Sequence, residues 1–453
     1  MEISVLKFGG TSMADHDTWR QVLEIIAKYE FPIVVVSATA KTIRKLVQAG
    51  QLAASGKISE AKEIASEIKD RHNQIVSNFL DENSHPKNPL IRESCYKNTE
   101  AKVGKLNKLL DYTERQQYLS PQMKDAISAI GEQISSYLLA QCGLALDMMT
   151  QHIEARKIIK TDNEYGKANP NFFKITQHSG SLETVMENGF IPIIGGFYGE
   201  APDKTITTLG FEGSDYTASL VGGAVRAKSI EIWTDVSGVF TGDPRFILEA
   251  KPLPQMSYFD ATEMAYFGAK VLHPSTLKPA QEKNIPVFVK NIFEPEVAGT
   301  KIVRDSDHAM EALAISFKKN MATLTVSAYE TVMGYSFLPK VFAVLEQKRL
   351  TVDAVNTTEA SVTITLSDSE ELDELSKALI EVGNVSLKRD QGLLTVIGCS
   401  ISEADQLIER IFKVLESIRI HQISFSKEKR ILNLVLEEEK LIQTVQKVHN
   451  QLF

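Results

Sequence analysis

The amino-acid sequence predicts an α/β protein in two parts: a largely parallel sheet with helices on its faces, then two small modules of strands and helices. Three observations carry that prediction. Short β-branched runs alternate with amphipathic stretches through the first part, the rhythm of a parallel sheet joined by crossover helices. Glycine-rich turns follow the first strand and open a later helix. Beyond about Gly299 the texture changes to a strand–helix order that occurs twice. At 453 residues the chain exceeds one ordinary core, and roughly two to four domains are expected.

Taken in order, Val5–Phe8, Ile33–Ser37, Ile191–Gly195 and Ile230–Thr234 are short, rich in β-branched residues and bounded by turn residues, so they read as strands. Asp17–Tyr29 and Ser59–Leu80 carry helical periodicity. The charged stretch from about Ser59 to Tyr118 is broken only at the Ser84–Pro89 turn and reads as a helical subregion beside the sheet. In the second part, Leu313–Phe317, Ala322–Val326, Val341–Glu346, Thr351–Asn356 and Ser361–Leu366 supply strand, helix and paired strands. A similar order returns in strand Leu393–Gly398, helix Ala404–Ser417, strands His421–Ser426 and Arg430–Leu436, and helix Glu438–Gln451.

The apolar fraction of 43% and charged fraction of 24% are those of a globular protein, and no stretch approaches the roughly 20 apolar residues of a membrane span. Net charge is −8 with lysines and arginines interleaved among acids, which argues against a nucleic-acid binder but not against a nucleotide site. The cysteines Cys95, Cys142 and Cys399 lie far apart, and the histidines are scattered, so no metal site built by the protein alone is expected. The chain enters a strand at once, without a basic and apolar leader, and a cytoplasmic location is expected.

Val5-Leu6-Lys7-Phe8-Gly9-Gly10-Thr11-Ser12 puts a lysine at the end of an apolar strand, before two glycines and two hydroxyls. Glycines let backbone N–H groups approach a polyanion, hydroxyls add donors, and the lysine brings a charge on a flexible stem. The lysine precedes the glycines, so this is not the P-loop spacing, and a plain structural turn has the same residues. A second glycine cluster, Gly195-Gly196-Phe197-Tyr198-Gly199, leads to Thr207-Thr208-Leu209-Gly210-Phe211-Glu212-Gly213-Ser214-Asp215, which opens the apolar helix Tyr216–Ala224. Ser214 or Asp215 reads either as an N-cap or as part of a second phosphate loop whose acid holds Lys7. Downstream, Trp233-Thr234-Asp235-Val236 ends a strand. Phe240 and Arg245 then either flank an adenine and its phosphates or belong to a solvated loop. Gly268-Ala269-Lys270-Val271-Leu272-His273-Pro274 offers one more lysine in a glycine context, with an ordinary surface lysine as the plain reading.

Five segments in this order carry a resemblance: Lys7 to Ser12, Gly131-Glu132, Gly213-Ser214-Asp215-Tyr216-Thr217, Trp233 to Val236, and Gly268 to Pro274. Over essentially its whole length the chain resembles the aspartokinase family, in its monofunctional lysine-sensitive form. The resemblance implies an amino-acid-kinase domain, a carbamate-kinase-like three-layer sandwich, over residues 1–300. Two ferredoxin-like ACT domains would follow, at 308–390, completed by part of the C-terminal end, and at 391–453. It implies ATP and Mg²⁺, L-aspartate as phosphoryl acceptor, and 4-phospho-L-aspartate as product, the first step toward lysine, threonine and methionine.

By the same resemblance Lys7 and Asp215 are catalytic, and Phe8, Gly9, Gly10, Thr11 and Ser214 cradle phosphates. Thr234, Asp235, Phe240, Arg245, Lys270 and Val271 match the nucleotide site, with Phe240 where a tyrosine is common. Ser37, Ile43, Arg44, Glu132, Phe211, Gly213 and Ser214 match the acceptor site, and Glu132 matches a glutamate that engages the substrate amino group. Two departures stand out. Phe211 occupies the place of an arginine that pairs with a substrate carboxylate, and Ile43-Arg44 replaces a Thr-Asn pair. Loss of a bidentate carboxylate partner is costly, so Arg44 or Arg156 is expected to take over that contact.

Met333, Gly334, Phe337, Leu338, Val352, Asp353, Thr357, Thr358 and Glu359 match the lysine-binding edge of the first ACT domain. An acid there pairs with the effector's ammonium groups, although Asp353 and Glu359 also read as exposed loop acids. L-lysine is the expected effector, and a homodimer or homotetramer through ACT domains the expected assembly. Two alternatives stay open: a kinase of another small amino or carboxylic acid, motivated by Ile43 and Phe211, and a non-enzymatic amino-acid sensor.

Overall fold

A computed structural model describes the chain apart from residues 83–84, 268–273, 306–311, 330–333, 349, 399–404, 427 and 429, and the side chains of 274–275, 334–336 and 405–406. The described residues divide into two compact units. Residues 1–239, 254–258 and 272–306 make the first; 240–253, 259–271 and 307–453 make the second.

The first unit grows around β1 (Ser4–Phe8), buried along its whole length because helices cover both faces of the sheet. After it, α1 (His16–Ile26) starts on a reciprocal cap: the Asp15 carboxylate accepts from the Thr18 N–H, and the Thr18 hydroxyl accepts from the Asp15 N–H. Next, β2 (Pro32–Val36) pairs parallel with β1, placing Lys7 opposite Val35. Five helices follow: α2 (Thr42–Ala54), α3 (Ile58–Asp81), α4 (Asn88–Gln116), α5 (Pro121–Ser128) and α6 (Ile130–Leu144). They form the helical subregion expected beside the sheet, and their apolar faces share one core with β1 and β2 through Leu46, Ile68, Leu106, Ile134 and Leu138.

The sheet then adds β3 (Thr150–Ile153) at its edge, and after α7 (Phe172–Glu187) comes β4 (Ile191–Gly195) between β2 and β3. A hairpin, β5 (Tyr198–Glu200) with β6 (Ile206–Thr208), leads into α8 (Gly213–Val225) and back to β7 (Ser229–Thr234) on the other side of β1. Two short strands, β8 (Val239–Phe240) and β9 (Pro252–Leu253), precede β10 (Gln255–Ser257), α9 (Tyr258–Tyr266), α10 (Pro274–Lys283), β11 (Val287–Asn291) and β12 (Thr300–Val303). The resulting eight-stranded sheet has the order β10-β12-β11-β7-β1-β2-β4-β3 and is parallel except where β11 meets β12. Lys7 therefore stands near the carboxyl end of a central strand, where open α/β sheets bind ligands.

The second unit holds β13 (Ala314–Ala328), α11 (Gly334–Lys348), β14 (Ala354–Thr357), β15 (Ser361–Ser367), α12 (Glu371–Leu379), β16 (Gly383–Ile397), α13 (Asp405–Leu415), β17 (Ile420–Ser426), β18 (Ile431–Glu437) and α14 (Glu438–Leu452). Six strands make one antiparallel sheet ordered β14-β15-β13-β16-β18-β17. Two apolar clusters pack on it, one around Leu324, Val341 and Leu375, the other around Leu394, Ile411 and Val445. Ile247, from the excursion 240–253, belongs to the second cluster.

The sequence reading separated Leu313–Phe317 from Ala322–Val326, whereas the structure has one strand, β13, with a register shift between Lys318 and Met321. Asn320 takes φ 53° there, so the polar Lys-Lys-Asn interruption marks a bulge and not a strand end. The reading also missed α12 and the first half of β16, whose alternating Asn384, Ser386, Lys388 and Asp390 look like a loop. Among the described residues no helix is long and apolar enough to cross a membrane.

Candidate active site

Lys7 reaches from β1 to the first turn of α8, where its Nζ lies 2.6 Å from Asp215 Oδ1 with both side chains more than nine-tenths buried. The contact is an ion pair without hydrogen-bond alignment at that oxygen. Burying such a pair gains little net stability, so it is read for the position it fixes. An acid in the first turn of a helix is also favoured by the helix dipole.

The glycine turn after β1 is fastened to the end of β7. Gly9 N–H donates to Trp233 O at 3.1 Å, the Ser12 hydroxyl donates to the same carbonyl at 3.2 Å, and Phe8 stacks on Trp233. Phe8 and Ser12 are fully buried, so Phe8 has only backbone groups to offer a ligand and the Ser12 hydroxyl serves the turn itself. Thr11 is exposed.

The second glycine loop comes equally close. A Cβ on Gly196 would lie 2.6 Å from the Ser214 Cβ, so only glycine lets this turn abut α8. Gly196 N–H donates to Val36 O and Phe197 N–H to the Thr217 hydroxyl, which ties the ends of β2 and β4 to the same helix. Glu212 takes φ 54° at the N-cap, and Phe211 before it is 80% exposed.

One residue that holds this loop was not read from sequence. Asp125 Oδ2 accepts from the N–H groups of Gly166 and Thr208, and Oδ1 from the Thr208 hydroxyl, each at 2.8 Å. It therefore fixes the end of β6 directly before Leu209–Gly213. Its partners lie 41 and 83 residues away, and no local spacing signals them.

Glu132 lies in the first turn of α6 with no exposed surface, and neither carboxylate oxygen makes a hydrogen bond. Burial pushes its pKa up to about 8, while the neighbouring Ala38 amide pulls the other way without reaching bonding geometry. Gly131 stands against Ala38, and the Ser135 hydroxyl donates to Ser37 O at 2.8 Å. Gly10 abuts the Ala38 carbonyl, and Gly195 abuts Glu132. The structure thus gathers Lys7, Gly9, Gly10, Ser37, Glu132, Gly213, Ser214 and Asp215 about the carboxyl ends of β1, β2 and β4.

Arg44 is exposed in the first turn of α2, after Lys41 at φ 68°, and Ile43 is half-buried. Arg156 Nε lies 3.3 Å from Glu154 Oε1. Thr234 ends β7 and its hydroxyl bonds the Asp235 carboxylate. Phe240 and Arg245 fall in the second unit, where Arg245 forks onto Asp243. Lys270 and Val271 lie outside the described residues.

On the effector side, Gly334 begins α11, Phe337 is buried in the core, and Leu338 and Val352 pack against it. The Asp353 carboxylate is paired with Lys318 at 2.5 Å and is not an exposed loop acid. Thr357, Thr358 and Glu359 are exposed around the turn between β14 and β15, where the Thr358 and Ser361 hydroxyls bond each other. Met333 lies outside the described residues.

A parallel sheet with two glycine loops converging on a buried lysine–aspartate pair defines the class as a phosphoryl-transfer α/β enzyme of the amino acid kinase type. The amino acid kinase family pattern matches residues 2–291. The lysine-sensitive aspartokinase 3 of Escherichia coli is 31% identical over 461 residues, covering 100% of this chain and 99% of that protein. The chloroplastic aspartokinase 1 of Arabidopsis thaliana is 31% identical over 99% of this chain and 80% of its own length. The crystal structure of E. coli aspartokinase III with aspartate and ADP superposes with a TM-score of 0.85 at 30% identity, covering 100% of both chains. The chain belongs to the aspartokinases of the amino acid kinase family.

Proposed function

We propose that the protein transfers the γ-phosphoryl group of ATP, bound with Mg²⁺, to the side-chain carboxylate of L-aspartate, forming 4-phospho-L-aspartate. The observation that carries this reading is the buried Lys7–Asp215 pair set beside a buried Glu132 that has no partner of its own. A carboxylate acceptor is already ionised near neutral pH, so no general base is needed and the barrier lies in bringing one anion onto another. Lys7 neutralises the charge on the transferred group, and Asp215 holds its ammonium in line. Backbone groups of Gly9, Gly10 and Ser214 hold phosphate oxygens. Glu132 receives the acceptor's ammonium, an ion that repays the cost of its burial. E. coli aspartokinase III, similar along its whole length, has been crystallised with aspartate and ADP and with lysine and aspartate.

In this reading residues 1–300 form the catalytic domain, and 308–390 and 391–453 form regulatory ACT domains that bind L-lysine and join subunits into a homodimer or homotetramer in the cytoplasm. Arg44 supplies the acceptor-carboxylate contact that Phe211 cannot. A coupled ADP-release assay over aspartate, glutamate and N-substituted acids tests the assignment. Turnover with aspartate that disappears in Lys7→Ala is the expected result. The exposed Phe211 favours a second reading, a kinase of another small acid, and turnover restricted to one of the other acids would establish it. Turnover with none would favour an amino-acid sensor.

A further inference from the structure

Beside α6, on the side of the sheet edge, positive charge collects with too few acids to answer it. Lys102 and Lys105 stand three residues apart on α4 and so share a face. Lys102 Nζ donates to Gln133 Oε1 at 2.9 Å, which fixes the orientation of that amide. The Gln133 side chain is 1% exposed, yet its Nε2 makes no hydrogen bond, leaving a buried donor without an acceptor. From β3 and the short turn Ala155–Lys157 come half-buried His152, whose Nε2 is also unbonded, and Arg156.

Glu154 is the acid that faces this group, and it is already shared between Arg156 Nε at 3.3 Å and the Tyr198 hydroxyl at 3.0 Å. Among the described residues Lys105 has no ion-pair partner. Its charge is opposed by Arg156 and Lys102, and burial lowers the pKa of both lysines. Three cations against one engaged acid, in a half-buried place, repel one another unless an anion joins them.

We propose that Lys102, Lys105, Arg156 and the Gln133 amide form a recess that binds a compact oxyanion, a carboxylate or a phosphate. The recess lies close to the acceptor site: Gln133 follows Glu132 in α6, Gly195 stands against both Glu132 and the Tyr198 ring, and the Tyr198 hydroxyl donates to the same Glu154 oxygen that Arg156 approaches. Two sources offer that chemistry, a carboxylate of the acceptor itself or a free phosphate. The binding claim goes beyond the proposed activity and stands without it.

The test titrates inorganic phosphate by calorimetry into the full-length protein saturated with Mg²⁺ and a non-hydrolysable ATP analogue, so that the Lys7 cradle is occupied through its γ-phosphate position. The expected result is binding that weakens at least about tenfold in Lys105→Gln and in Arg156→Gln, as loss of a charge-assisted hydrogen bond predicts. Lys228→Gln, at the exposed pair with Glu2, should leave it unchanged. Thermal melts of each variant confirm folding. A second arm adds saturating acceptor: displaced phosphate identifies the anion as the acceptor's carboxylate, and retained phosphate identifies a free anion. No phosphate binding by the wild type, or equal binding by all variants, overturns the recess. ADP release with aspartate is unaffected by that outcome, so the two claims fail separately.

Discussion

Glu132→Gln separates two effects of one buried carboxylate. The group is fully buried, lacks a hydrogen bond, and has its pKa raised to about 8 from an ordinary 4.5. At pH 7 roughly one site in ten is then ionised, and at pH 9 about nine in ten. If only the carboxylate form receives the acceptor's ammonium, apparent acceptor affinity scales with that fraction and the acceptor KM falls about tenfold between pH 7 and 9. Stability moves the other way. The folded pKa is raised, so the contribution is fully present below about pH 4.5 and is lost as pH rises through 8, by an amount on the order of 5 kcal/mol. The glutamine variant carries no such charge. Without acceptor it should be more stable than the wild type above neutral pH, equal to it near pH 4, and show a pH-independent acceptor KM. Urea unfolding across pH 4–9 and ADP-release kinetics across pH 6–9 measure both. Parallel stability curves, or a wild-type KM that does not change with pH, would refute the argument.

Lys7→Ala should lower kcat by at least about a hundredfold while the fold persists, checked by single-turnover kinetics and circular dichroism. Asp125→Ala leaves the buried N–H group of Thr208, and the N–H of Gly166, without their acceptor, a loss of roughly 2 kcal/mol in urea unfolding together with a raised acceptor KM; Asp125→Asn should recover part of both. Arg44→Ala should raise the aspartate KM about tenfold with kcat little changed, and an unchanged KM removes Arg44 from the site. Lysine at about 10 mM should alter activity or melting temperature, and Asp353→Asn, by releasing Lys318, should weaken that response.

Much of the first unit was legible because its signals are local. Val5–Phe8, Ile191–Gly195 and Ile230–Thr234 are β-branched runs between turn residues and form strands within a residue of where they were read. The Lys7–Asp215 pair joins segments 208 residues apart, yet each half sits in a glycine context that marks it. Asp125 has no such mark: in Lys124-Asp125-Ala126 it resembles a solvated helix acid, and its burial follows only from Thr208 arriving beside it. The second unit was harder to read for a different reason. Asn384 to Asp390 alternates polar residues because one face of β16 meets solvent, and the pattern lacks the apolar run by which a buried strand declares itself. Ile247 looks like a loop residue, and only the fold shows that it belongs with Leu394 and Val445.

That placement of Ile247 bears on any attempt to take the protein apart. The polypeptide passes between its two units five times, at 239/240, 253/254, 258/259, 271/272 and 306/307. A fragment ending near residue 300 would carry 240–253 away from the cluster that Ile247 completes, and would lose the Thr241–His449 hydrogen bond. A single protease nick near residue 306 would likewise leave the C-terminal piece attached without a covalent link. No single cut therefore separates the units, and a shortened enzyme that aggregates would be reporting its interleaved chain path and not a defect in its chemistry.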